Sequence, residues 1–198
     1  MKKWLVPLLI IGAVILGFIW LFAGTNNSAV RKQEDARTAW ANVESAYQRR
    51  NDLIGNLVNT VQGAAEFERS TLTEVIEARS KATSVSIDPS NITPEQMAQF
   101  QQAQEQVSSA LSRLLVTVER YPELKANRNF VQLQSQLEGT ENRINVARNR
   151  YNEAVNDYNK FIRVFPNSLV AGMLGFEPME RFEADAGAED APEVEFNF

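Results

Sequence analysis

Residues Trp4 to Phe22 read WLVPLLIIGAVILGFIWLF, a run with no charged side chain. As a helix rising about 1.5 Å per residue it matches the ~30 Å hydrocarbon thickness of a bilayer. Trp4 and Trp20 stand near its two ends, where indole rings favour the membrane interface, and Pro7 falls in the first turn, where a missing N–H costs least. A cleaved export signal has a shorter apolar core and small residues spaced A-x-A after it; AGTNNSA offers no such pattern. The run is therefore expected to be an uncleaved membrane anchor ending at Trp4 and Phe22, within a 1–23 anchor segment. Its orientation is less marked. Lys2 and Lys3 abut it on one side, and Arg31 and Lys32 follow only after an uncharged spacer, which by proximity favours an exported body. Counting basic residues as far as Arg37 removes that preference.

Beyond a juxtamembrane segment (24–35), apolar residues recur at helical intervals. The first run is Ala36, Trp40, Val43, Tyr47, Ile54, Leu57 and Val61, widened by Leu53 and Val58. Gly63 then suits a stop or a bend. A second run holds Leu72, Val75, Ile76 and Ala78; Pro89 and Pro94 bound a loop, and Thr93-Pro94-Glu95 reads as an N-cap followed by Pro at the first helical position. The third run, from Met97 to Tyr121, is broken by Pro122. The fourth and longest holds Phe130, Leu137, Ile144, Tyr151, Val155, Tyr158 and Ile162. No window alternates with period two. An all-α chain is expected, with an N-terminal transmembrane helix followed by an antiparallel four-helix bundle over 36–166. A single helix kinked near Gly63, giving three strands, is the alternative. Residues 167–182 form an apolar C-terminal segment, and 183–198 an acidic tail expected to be solvated and disordered.

Composition excludes several functions. Cys and His are both absent, so disulfides, thiolate chemistry, Cys/His metal sites and imidazole acid–base catalysis are unavailable. The net charge of −5 resides in the stretch from Phe176 to Phe198, whose carboxylates run from Glu177 to Glu195, leaving a nearly neutral body with no basic face for nucleic acid. Glu44, Glu138 and Glu153 fall off the apolar stripes, as solvated residues do. No metal, cofactor or catalytic residue is expected.

Three stretches carry more detail than a generic bundle requires: RRNDLIGNLVNTV (49–61), the segment from Glu119 to Ile162, and FPNSLVAGMLGFEP (165–178). Together they resemble the LemA family of bacterial membrane proteins, over about Trp40 to Phe182. The resemblance implies a four-helix antiparallel bundle behind a transmembrane helix, with the bundle in the cytoplasm and with no established activity or cofactor. Gly55 stands where the family commonly has Pro, and Ala64-Ala65-Glu66 replaces a more aromatic, His-containing stretch. Within these motifs Arg49, Arg50 and Asp52 interrupt the first apolar stripe, while Arg150, Asn152 and Asn159 flank Tyr151 and Tyr158 in an R-YN…YN pattern of period seven. Two readings stand: a polar layer that fixes helix register, or a Tyr- and Arg-rich partner-docking surface. Ser168–Phe176, too short to span a bilayer, is expected either to cap the bundle end or to dock on a membrane or a protein. The functions that fit are a membrane-tethered interaction or scaffold protein of the bacterial inner membrane, with lipid and an unidentified protein as partners, or a structural homo-oligomer. The latter would be assisted by Gly12, Ala13 and Gly17 in the span. An enzyme with an unrecognised carboxylate site ranks last.

Overall fold

The structure, a computed structural model, describes residues 4–63, 68–89 and 91–183. Lys2-Lys3, the 64–66 departure and the acidic tail beyond Glu183 lie outside them. Every regular element among the described residues is helical: α1 (Leu5–Gln62), α2 (Arg69–Ser84), α3 (Pro94–Val118), α4 (Pro122–Lys125), α5 (Arg128–Arg163) and α6 (Asn167–Leu174).

The 58-residue α1 carries both the apolar run and the first stripe of the body without interruption. The expected juxtamembrane segment is part of it. Residues 24–35 have modest helix propensity, but Thr25 and Ala29 are buried one turn apart and extend the seam that Ala36 and Trp40 continue. The seam is made of small residues here, which let a neighbouring helix approach closely. Burial against other helices holds this stretch in shape where intrinsic preference is weak.

α5 lies antiparallel along α1: Trp40 packs on Tyr151 and Arg50 meets Glu141, two contacts with a common register. α2 runs back beside the end of α1, with Arg79 against Gly55 and Leu72 in the same core as Val61. The first two runs are thus separate antiparallel helices, not one kinked helix. α3 returns beside α2, bridged by Glu74–Arg113 and Glu68–Arg120. Its start is a capping box: Thr93 Oγ1 accepts from Gln96 N–H at 3.2 Å, and Gln96 Oε1 accepts from Thr93 N–H at 3.0 Å, with Pro94 at the first helical position. Pro122 ends α3's direction and opens the single turn of α4; Asn127 then caps α5.

Three apolar clusters fill the interior. One joins the end of α1 to α2, α3, α4 and the start of α5. The next is aromatic, with Trp40, Tyr47, Phe100, Tyr151 and Phe182 at its centre. The last, nearest the apolar run, comprises Ala29, Tyr158, Ile162 and Ala171. α6 packs there on α1 and α5, burying Val170 and Ala171, and stops at Gly175, whose φ of 74° is the left-handed conformation glycine tolerates best. The non-helical residues 176–183 then lie along α5 as a strap.

Candidate functional site

The YN repeat holds that strap. Asn159 pairs with both backbone groups of Met179: its Nδ2 donates to the carbonyl at 2.8 Å and its Oδ1 accepts from the N–H at 2.8 Å. Asn152 does the same to Phe182, at 3.1 and 2.9 Å. Tyr158 OH donates to the Glu177 carbonyl at 3.0 Å and Tyr151 OH to the Glu180 carbonyl at 2.8 Å. Arg148 Nη2 and Gln101 Nε2 converge on the Glu183 carbonyl.

The spacing explains why this works. Seven residues of helix advance about 10.5 Å, and three residues of extended chain advance roughly 10 Å. A heptad on α5 therefore meets every third residue of the strap, and both the Asn rungs and the Tyr rungs keep that ratio. Every one of these bonds goes to backbone. The strap's one large anchor is Phe182, buried in stacked contact with Trp40 (centroids 5.7 Å apart) and edge-on to Tyr151 at 5.6 Å, with the Arg148 guanidinium over its outer face.

Both tyrosines are held protonated and so remain donors. Burial pushes the Tyr151 hydroxyl far above its ordinary range, and the charge of Glu180 adds to the effect. Burial also raises Tyr158; Arg37 opposes and Glu177 reinforces that shift.

Arg50 forms a second polar centre between α1, α3 and α5. It is 2% exposed. Its Nη2 donates to the Gln104 backbone carbonyl at 3.3 Å and to Gln104 Oε1, and its Nη1 to Ser108 Oγ at 3.0 Å and the half-exposed Glu141 at 3.4 Å. Tyr47 lies under the guanidinium at 4.9 Å. A cleft of about 480 Å³, lined by Arg50, Gln104, Glu141, Asn145 and Arg148 among others, opens from this centre.

The residues singled out from sequence thus separate. Tyr151, Asn152, Tyr158 and Asn159 act together on the strap, and Arg50 ties three helices. Arg49 and Asp52 are on the exposed face of α1, where Asp52 accepts from Gln48. Arg150 is exposed beside a shallow groove with Asn42, Arg143 and Val146. Sequence reasoning missed Gln104, Ser108 and Glu141, which face Arg50, and Met179 and Phe182, which fill the Asn rungs. Phe182, an isolated aromatic beside an acidic stretch, was the available signal.

In the apolar run, Trp4 is exposed, as are residues 13–20 with Trp20 among them, whereas Phe22 is half-buried and stacks on Phe18 with centroids 6.4 Å apart. By length and composition this is a helix able to cross a membrane. Among the described residues no three carboxylates approach closely enough to hold a metal ion.

Residues 39–196 match the LemA family profile. The chain is 25% identical over 127 residues to Protein LemA of Metamycoplasma hominis, covering 64% of this chain and 54% of the relative, so it spans about half that protein's length. It is 26% identical over 191 residues to magnetosome protein MamQ of Magnetospirillum gryphiswaldense, covering 87% of this chain and 70% of the relative. It is 27% identical over 195 residues to magnetosome protein MamQ 2 of Paramagnetospirillum magneticum, covering 90% and 71%.

Proposed function

The chain belongs to the LemA family, and from that premise we propose that it is a non-enzymatic, membrane-anchored interaction module of the bacterial inner membrane. Trp4–Phe22 crosses the bilayer, and the body is an antiparallel four-helix bundle of α1's second half, α2, α3 and α5. The observation that carries this reading is the change of environment along one helix. α1 exposes large apolar side chains on all sides through Trp20, then buries a single stripe from Thr25 onward. An all-round apolar helix needs a lipid environment, and a one-sided stripe needs a protein core. Because no break separates the two halves, the bundle is held rigidly to the anchor. Buried aromatic and polar residues are spent on internal packing, which favours partner docking over catalysis.

A photo-crosslinking residue placed at Arg49 or Arg150, both exposed, tests this in intact cells. A recurrent adduct with another protein supports the interaction module, whereas labelling restricted to copies of the same chain favours the structural assembly. One feature supports that second reading: Ala13 and Gly17 are exposed one turn apart in the span, a small-xxx-small spacing that permits close helix approach. Release of the chain from membranes by alkaline carbonate would overturn both.

A further inference from the structure

We propose that the lower rim of the body, formed by the α5–α6 turn and the outer face of α6, inserts apolar side chains into the headgroup and upper acyl region of the bilayer beside α1. The inference rests on the reading of Trp4–Phe22 as a membrane span. At this rim Phe165 is 76% exposed, Leu169 62% and Met173 70%, with Val164 also exposed. Leu169 and Met173 are four residues apart on α6 and share its outer side, away from the buried Val170 and Ala171, while Phe165 is exposed in the turn just before the helix.

Three observations say what covers them. The first is level. Thr25 Oγ1 donates to Asn167 Oδ1 at 3.2 Å, which sets the start of α6 about 4.5 Å above Phe22. Ala29 and Ala171 share a cluster, so α6 climbs away from the anchor and the turn at Val164–Pro166 is the lowest point of the body. The second is proximity. Residues 13–20 of α1 are exposed, Phe22 is half-buried and stacks on Phe18 of its own helix, and Thr25, less than one turn on, is buried and bonded to α6, so the body begins within a turn of the end of the apolar run. Lipid surrounding that turn also meets the rim. The third is charge. Residues 18–33 and 158–176 contain no carboxylate, yet carry Arg31, Lys32, Lys160 and Arg163, with Arg31, Lys160 and Arg163 exposed. Apolar side chains below a cationic collar match an anionic phospholipid surface.

The chain has no cysteine, so single-cysteine probes are unambiguous. Leu16→Cys, Leu169→Cys and Val116→Cys are each labelled with a nitrobenzoxadiazole dye. The full chains are reconstituted in phosphatidylcholine–phosphatidylglycerol vesicles containing phospholipids spin-labelled high on the acyl chain. Val116 is 71% exposed at the far end of α3, near the cluster that holds Val61, and serves as the aqueous control. The expected result is severalfold stronger quenching at positions 16 and 169 than at 116, with the signal at 169 falling toward the control when Phe165→Ser is added. Quenching at 16 but not at 169 overturns the proposal and leaves the anchor standing. Loss of quenching at both sinks the membrane span itself. Unquenched 169 probes, with disulfide crosslinking between copies of the unlabelled Leu169→Cys chain under mild oxidation, assign the rim to self-association, and also overturn the proposal.

Discussion

Removing one Asn rung should loosen the whole strap. Asn152→Ala eliminates two hydrogen bonds to Phe182, one donated and one accepted. At a net contribution of about 1 kcal/mol each, the variant weakens strap closure by about 2 kcal/mol, roughly 30-fold in the opening equilibrium. Asn159→Ala acts equally on Met179. The double variant should approach 4 kcal/mol, or about a thousandfold, leaving burial of Phe182, the two tyrosine hydroxyls and the bonds of Arg148 and Gln101 to Glu183 to retain the segment. Amide hydrogen exchange on the full chain in detergent micelles reads this residue by residue. Cross-reporting makes it informative: in Asn152→Ala the amide to follow is Met179, whose own acceptor is intact, and in Asn159→Ala it is Phe182. Faster exchange at the distant rung, with the Val155 amide of α5 unchanged, shows a strap that opens as one unit. If Asn152→Ala accelerates only the Phe182 amide, the rungs are independent and the reasoning fails.

Other substitutions and conditions follow from the same contacts. Both strap tyrosines have hydroxyl pKa values raised above the ordinary 10.0, so their contribution is complete below about pH 10 and is lost as pH climbs past that value, because the unfolded chain then releases protons that the folded chain retains. Urea unfolding at neutral and strongly alkaline pH should show that loss, and Tyr151→Phe with Tyr158→Phe should diminish it. Arg50→Leu should destabilise by about 2–4 kcal/mol, since buried Gln104 loses its donor, while Glu141→Gln changes stability by less than about 1 kcal/mol because that carboxylate is half-exposed. Equal costs in thermal unfolding would show that the carboxylate, not the neutral acceptors, holds Arg50. Gly55→Ala should stabilise α1 by about 1 kcal/mol, raising Tm by about 2–4 °C, as the added methyl meets only the flexible end of Arg79 at 3.4 Å; a lowered Tm would mean Arg79 cannot shift.

What the amino-acid pattern reveals depends on whether a contact uses large side chains or backbone. The apolar run, the helical stripes, the Thr93 cap and the break at Pro122 all have side-chain signatures and could be read directly. Residues 24–35 could not, because their buried seam is Thr25 and Ala29, too small to mark a stripe, flanked by Asn26 and Asn27. The YN period was visible, yet its partner was not: Asn152 and Asn159 recognise the backbone of Phe182 and Met179, and backbone leaves no trace in residue identity. A lone buried Arg50 looked like an interruption of the stripe for a similar reason, since two of its acceptors belong to Gln104, an ordinary residue of an exposed-looking helix.

The continuity of α1 from the apolar run into the body is tested most directly by electron–electron distance measurement across the junction. Spin labels at Ile19→Cys and Glu44→Cys, both exposed and nearly on one face of α1, bracket residues 24–35 in the full chain in lipid nanodiscs. An unbroken helix separates them by about 38 Å. A single narrow distribution at that distance is the result the continuous α1 requires. A broad or markedly shorter distribution would show a hinge between span and body, and would contradict it.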